Sequence, residues 1–200
     1  MLFAISGSQG SGKTTVINEL KERGFPVVER KTSRSIMDEW GVTLSEINND
    51  RPLTVKFQDE IIERKFNDEK EAVRSPSEIW FTERTYADFF TYALIAIGKD
   101  NEYSDWLNSY YEKCKEYQTT FKHNFYLEGG LIDLEHDGVR GSNIHYARMV
   151  DLVMKDVTKQ MYTAFDSETF EPVGPDTNTI KSKDIDVRVD FILSSISGFL

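Results

Sequence analysis

Cysteine is all but missing from this 200-residue chain: Cys114 stands alone, so an internal disulfide and a multi-cysteine zinc site are both excluded. That composition suits a reducing cytoplasm. Apolar runs are short, and none approaches the roughly 18–20 residues that a membrane-spanning helix needs. The start, Met1-Leu2-Phe3-Ala4-Ile5, lacks the basic segment of a signal peptide. The five prolines mark no linker, and no repeat or low-complexity tract divides the chain, so one domain over residues 1–200 is expected. Histidine is scarce, and His123, His136 and His145 lack metal-ligand spacing, which argues against zinc. Positive charge is short as well: 24 basic against 34 acidic residues leave −10 at pH 7. Nonspecific binding to nucleic acid rests on a cationic surface, whereas a small anion needs only a helix N-terminus and a few arginines. The balance favours a small phosphorylated ligand.

What is present alternates between two periodicities. Leu2–Ser6 reads as a short apolar strand, Gly7–Gly12 as a loop, and Lys13–Arg23 as a helix that Gly24 stops. Phe25–Glu29 reads as a second strand, residues 32–40 and 52–71 as helices, and Ile79–Glu83 as a third strand before an apolar helix over Ala87–Ile97. Tyr103, Trp106, Leu107, Tyr110, Cys114 and Tyr117 recur at helical spacing and read as core. The acidic stretch Asp59–Glu71 reads as a solvated helix face. Asn124–Leu127 is the next strand, Ile144 to Met161 a long amphipathic helix, Phe170–Val173 an edge strand, and Ile185 to Ile196 a closing helix. The fold class is α/β: a three-layer sandwich with a parallel sheet of about five strands between helices.

Gly7-Ser8-Gln9-Gly10-Ser11-Gly12-Lys13-Thr14 fits the phosphate-loop pattern G-x-x-x-x-G-K-[ST] at every fixed position, after a strand and before a helix. Its glycines let successive backbone N–H groups turn inward on a phosphate chain. Lys13 is placed to reach the β- and γ-phosphates, and the Thr14 hydroxyl to ligate Mg²⁺. Thr15 follows in the first helical turn. ATP and Mg²⁺ are the implied ligands.

In doubly wound sheets, ligands lie outside the carboxyl ends of the strands, which singles out three further places. Glu29 ends the second strand and stands as a candidate base for an acceptor hydroxyl, with Arg30, Lys31 and Arg34 close behind it. Glu83 and Arg84 end the third, where an acid for magnesium and a cation for the acceptor or the moving phosphoryl group belong. Gly129-Gly130 and Asp137-Gly138-Val139-Arg140-Gly141 frame a candidate lid over 129–142 that would bring Arg140 to the phosphates. Arg148 lies two turns into the following helix.

These residues together resemble the AAA-type P-loop kinases of the nicotinamide-riboside-kinase-like group, common in bacteria and their viruses. The resemblance rests on Gly7–Thr14, Glu29, Glu83-Arg84 and Asp137-Gly138-Val139-Arg140, and runs on to the closing helix with Arg188. Glu83-Arg84-Thr85 is also similar to the Glu-Arg-Ser signature of deoxynucleoside kinases. By that likeness, Glu83 assists magnesium and Arg84 contacts the acceptor. The resemblance implies a Mg-ATP-dependent kinase acting on a nucleoside, a nucleotide or a related hydroxyl compound. Two alternatives stay open: a kinase for 5-hydroxymethyl pyrimidine bases in DNA, as in viral DNA modification, and a nucleotide-dependent switch or binding module.

Overall fold

The computed structural model describes residues 1–29, 33–74, 78–132, 143–162 and 176–200. Strand β1 (Leu2–Ser6) is buried along its whole length. It pairs in parallel with β2 (Trp80–Glu83) on one side and with β3 (Phe121–Leu127) on the other, and β4 (Asp176–Ile180) adds to β3. The sheet order is therefore β2-β1-β3-β4. The chain leaves β1 towards one neighbour and later returns to its other side, which makes the carboxyl end of β1 the switch point of the sheet.

Strand alternation sends the two sets of side chains to opposite layers. Phe3, Ile5, Phe81, Phe125 and Leu127 pack with Val16 and Leu20 of α1 (Lys13–Glu22) and with Val189 and Ile192 of α8 (Ile185–Ile196). On the other face, Leu2, Ala4 and Phe121 meet Ile61 and Ile62 of α4 (Arg51–Ala72), Tyr86 and Ala87 of α5 (Tyr86–Ile97), and Val157 and Met161 of α7 (Ile144–Tyr162). Tyr110 and Cys114 of α6 (Ser104–Gln118) lie in that second core, as the helical stripe implies. Burial pushes the Cys114 thiol pKa up, so the group serves packing and is no nucleophile. The short helices α2 (Ser33–Trp40) and α3 (Leu44–Asn49) precede α4. Thr43 and Glu46 close a reciprocal capping box at the start of α3.

Four expectations need correction or a limit. Residues Phe25–Glu29 form no strand; Val27 makes one isolated parallel bridge to Phe81, with Val28 N–H donating to the Phe81 carbonyl at 2.8 Å. Pro26 contributes its carbonyl alone, because it has no N–H to extend a ladder. The sheet thus has four strands among the described residues, not five. The expected edge strand at Phe170–Val173 lies outside the described residues; the edge observed is β4, whose sequence Asp-Thr-Asn-Thr-Ile carries one apolar residue. Lastly, the face of α4 over Asp59–Glu71 is not wholly solvated, because Lys65 and Glu69 are buried in it. No helix among the described residues is long and apolar enough to cross a membrane.

Candidate functional site

The loop after β1 is built against its neighbours with no spare room. Gly7 has φ +138°, and a Cβ there would lie 2.4 Å from the Leu127 carbonyl oxygen at the end of β3. Gly12, at φ +85°, is the N-cap of α1, and a Cβ there would lie 2.7 Å from Nη1 of Arg188. Gly7 is therefore required by backbone conformation and by the space its backbone neighbour takes, and Gly12 by its left-handed conformation, since the arginine end beside it can shift. Ser8, Gln9 and Ser11 are buried and Gly10 is exposed, while Thr14 and Thr15 stand exposed in the first turn of α1. That turn carries no acidic residue, so the N-terminal end of the helix keeps its attraction for an anion.

Lys13 is buried at the base of the loop, its ammonium donating to the Ser8 carbonyl at 2.7 Å and to Ser11 Oγ at 3.4 Å. The Thr14 hydroxyl donates to Glu83 Oε2 at 3.2 Å, joining the phosphate loop to the end of β2. A hydroxyl and a carboxylate in contact are hard oxygen donors of the kind Mg²⁺ takes, its remaining positions going to phosphate oxygens and water. Thr14 and Glu83 would hold that ion. Among the described residues, no three His, Cys, Asp or Glu side chains gather as a metal cluster, here or elsewhere.

Arg84 follows Glu83 with φ +71°, a left-handed conformation that no other non-glycine residue among those described adopts. Strain of this kind gathers at functional sites. Its N–H donates to the Ile5 carbonyl at 2.8 Å, and its guanidinium lies over the Tyr92 ring at 5.5 Å and 4.0 Å from Asp88 Oδ2. Asp88 is fully buried in the first turn of α5, where Thr85 caps the helix. Burial raises its carboxyl pKa, against the opposing pull of Arg84 and Lys13.

Glu29 is not brought to this cluster. Its exposed carboxylate pairs with Lys21, eight residues beyond Lys13 and roughly 12 Å further along α1 at 1.5 Å per residue. Arg34 is exposed in the first turn of α2, and Arg148 is exposed on α7. Arg30, Lys31 and Arg140 lie outside the described residues, as does the candidate lid beyond Ile132.

Two residues to which sequence reasoning gave no role hold the loop in place. Asp151 of α7 accepts from Ser8 Oγ at 3.3 Å, from the Tyr126 hydroxyl at 2.9 Å and from the Gly129 N–H at 2.9 Å, and it pairs with Lys155. The signal for it was an acid inside the apolar stripe Ala147, Val150, Met154, Val157. Arg188 of α8 is buried, donating through Nη1 to the Ser11 carbonyl at 2.6 Å and through Nε to the Ser182 carbonyl at 2.5 Å. Replacing Asp151 with alanine strands two buried hydroxyl donors and the half-buried Gly129 N–H and is expected to lower the unfolding free energy by about 2–3 kcal/mol. Urea denaturation of the two proteins measures it, and an unchanged midpoint would deny Asp151 this role.

A family model described as an AAA domain matches residues 2–171. No curated protein matches the chain. Among solved structures, deoxyadenosine kinase from M. mycoides with bound dATP superposes with a TM-score of 0.69 at 14% identity, covering 98% of this chain and 100% of that one. The same kinase with bound dCTP gives 0.64 at 13% identity, over 99% and 100% of the two chains. NadR protein in complex with NR gives 0.64 at 11% identity, over 99% of this chain and 51% of that one. At such identities the likeness is one of fold: a P-loop α/β kinase fold with a parallel sheet.

Proposed function

We propose a function on one premise: this chain belongs to the AAA-domain family. In our reading it is a phosphotransferase that moves the γ-phosphoryl group of ATP, in the presence of Mg²⁺, to a hydroxyl of a nucleoside, a nucleotide or a related small acceptor. The observation that carries the reading is the 3.2 Å contact between the Thr14 hydroxyl and Glu83, beside the buried Lys13. The kinase fold of the superposed structures supports it.

In this mechanism the loop amides and the α1 N-terminus hold the phosphate chain, and Lys13 turns from Ser8 to the β- and γ-oxygens. Thr14 and Glu83 would hold Mg²⁺, which would supply charge neutralisation to the phosphate chain. Arg84, with Arg140 from the glycine-rich segment, stabilises charge on the acceptor and the moving group. The acceptor oxygen attacks the γ-phosphorus, its proton passes to a carboxylate, and ADP leaves. Catalysis is then mainly positioning and electrostatics.

Glu29 is our choice for that base. An exposed ion pair such as Glu29–Lys21 contributes about 0–1 kcal/mol, so little opposes its exchange for an acceptor hydroxyl. Glu29→Gln keeps the side-chain shape and loses the basic site. It is expected to lower kcat by about 10²–10⁴-fold with ATP affinity little changed. Full activity in that variant would remove Glu29 from the base role and leave it an exposed carboxylate paired with Lys21.

The reading itself is tested with radiolabelled ATP against a panel of nucleosides and nucleotides, with hydroxymethylated duplex DNA alongside. Label on a free nucleoside or nucleotide supports it, and label on DNA alone selects the modified-base acceptor. No acceptor-dependent product anywhere in the panel would defeat it, and ATP binding without transfer would favour a nucleotide-dependent switch.

A further inference from the structure

We propose that the buried Lys65–Glu69 pair of α4 is a positioning device for the metal site: it fixes the backbone turn at Glu83–Arg84 and thereby aims the Glu83 carboxylate at Thr14. The proposal rests on the reading of Thr14 and Glu83 as the Mg²⁺ ligands.

The pair is conspicuous by its position. The other charges of α4 are exposed or half-buried, yet Lys65 is 1% exposed and Glu69, one turn on, 3%. A buried ion pair is weak grounds for stability, because desolvation offsets its attraction and apolar residues of similar volume often do as well. Such a pair has geometry to offer, and here the geometry converges on one turn of chain. The Lys65 ammonium donates to Glu69 Oε1, to Thr82 Oγ1 at 2.9 Å and to the Glu83 carbonyl at 3.3 Å. Those three acceptors match its three hydrogens. The Thr82 hydroxyl passes its own hydrogen to Glu69 Oε1 at 2.7 Å, and the Tyr86 hydroxyl donates to Glu69 Oε2 at 2.7 Å.

Residue 82 precedes the turn, the carbonyl of 83 lies within it, and residue 86 follows it. All three are tied to one carboxylate–ammonium pair. Between them stands Arg84, in the left-handed conformation that a side chain disfavours. Its N–H is held by Ile5 and the preceding carbonyl by Lys65. Rotating this peptide towards a relaxed conformation gives up the Lys65 bond. With Thr82 anchored on the α4 face, strand alternation sends the Glu83 side chain to the α1 face, where Thr14 meets it. Lys65 and Glu69 touch neither nucleotide nor acceptor in this scheme. They act through Glu83.

The experiment measures ATP affinity of the whole chain by calorimetry across a Mg²⁺ series and in EDTA, with thermal unfolding in parallel. The variants are K65M/E69L, which substitutes apolar residues for the pair, and Thr82→Val and Thr82→Ser. Groups that orient metal ligands typically govern affinity by about 10–100-fold. The expected result is that K65M/E69L raises the Mg²⁺ concentration for half-maximal tightening at least about tenfold, with affinity in EDTA unchanged. Thr82→Val moves it in the same direction, and Thr82→Ser, which keeps the hydroxyl, restores it. Should the double variant fail to fold, the Thr82 pair decides alone. Altered unfolding with an unmoved Mg²⁺ midpoint would overturn the proposal. A wild-type chain whose ATP binding ignores Mg²⁺ would overturn both it and the assignment of Thr14 and Glu83. A wild-type chain that binds Mg-ATP but phosphorylates no acceptor removes the kinase reading alone, and the shifted midpoint still supports the brace.

Discussion

Lys13→Ala is expected to lower kcat for phosphoryl transfer by about 10²–10³-fold, the effect of removing one preorganised charge from a developing transition state. The side chain is buried with its ammonium folded onto the Ser8 carbonyl of its own loop. A lysine that served packing would place its stem against the core and its charge in water; this one buries its charge as well. Truncation removes one of two hydrogen bonds to the Ser8 carbonyl, which keeps the Ser11 N–H at 3.4 Å, a loss of about 1 kcal/mol, and it also relieves a buried charge. The unfolding temperature is therefore expected to move little while turnover collapses. Steady-state kinetics at saturating ATP, beside a thermal melt, check both halves. Unchanged turnover would take Lys13 out of the mechanism, and a collapse of the fold would take away the inference from kinetics.

Glu83→Gln has the second large effect, and its signature differs. An amide in that place still accepts the Thr14 hydrogen bond, so the contact between α1 and β2 survives. The negative charge does not. Losing a carboxylate that would ligate the ion is expected to lower activity at limiting Mg²⁺ by about 10²-fold, the upper end of what even indirect partners of a metal contribute. Raising Mg²⁺ should recover part of that loss. Glu29→Gln, by contrast, should be indifferent to Mg²⁺, because its carboxylate lies with Lys21 away from Thr14. If the Mg²⁺ dependence appears in the Glu29 variant and not in the Glu83 one, the two roles are exchanged.

The parts of this site that were legible in the sequence are those written in consecutive residues. Gly7–Thr14 carries its own strand, loop and helix start, and Glu83-Arg84 announces itself as charge leaving an apolar strand. Parts assembled from distant segments were not. Asp151 and Arg188 sit one to a helix among ordinary amphipathic patterns, and only the fold carries them to Ser8 and Ser11. Lys65 and Glu69 were misread because charged residues on a helix nearly always face water; nothing local says that Thr82 and Tyr86 will receive them. Strand β4 escaped detection for the opposite reason. An edge strand needs little apolar surface, and its two threonines suit a pleated backbone without making a hydrophobic run. The bridge at Val27 shows the reverse error, where an apolar run meets a proline that cannot extend the pairing.

The grip of Arg188 on the Ser11 carbonyl also bears on when the phosphate loop can be finished during synthesis. The two residues are 177 positions apart. At roughly 5–20 residues per second, the ribosome needs about 10–35 s to travel from one to the other. Through that interval the Gly-Ser-Gly-Lys stretch exists without the guanidinium that presses against Gly12. A nascent chain halted before residue 188 would thus present the motif without the clamped loop.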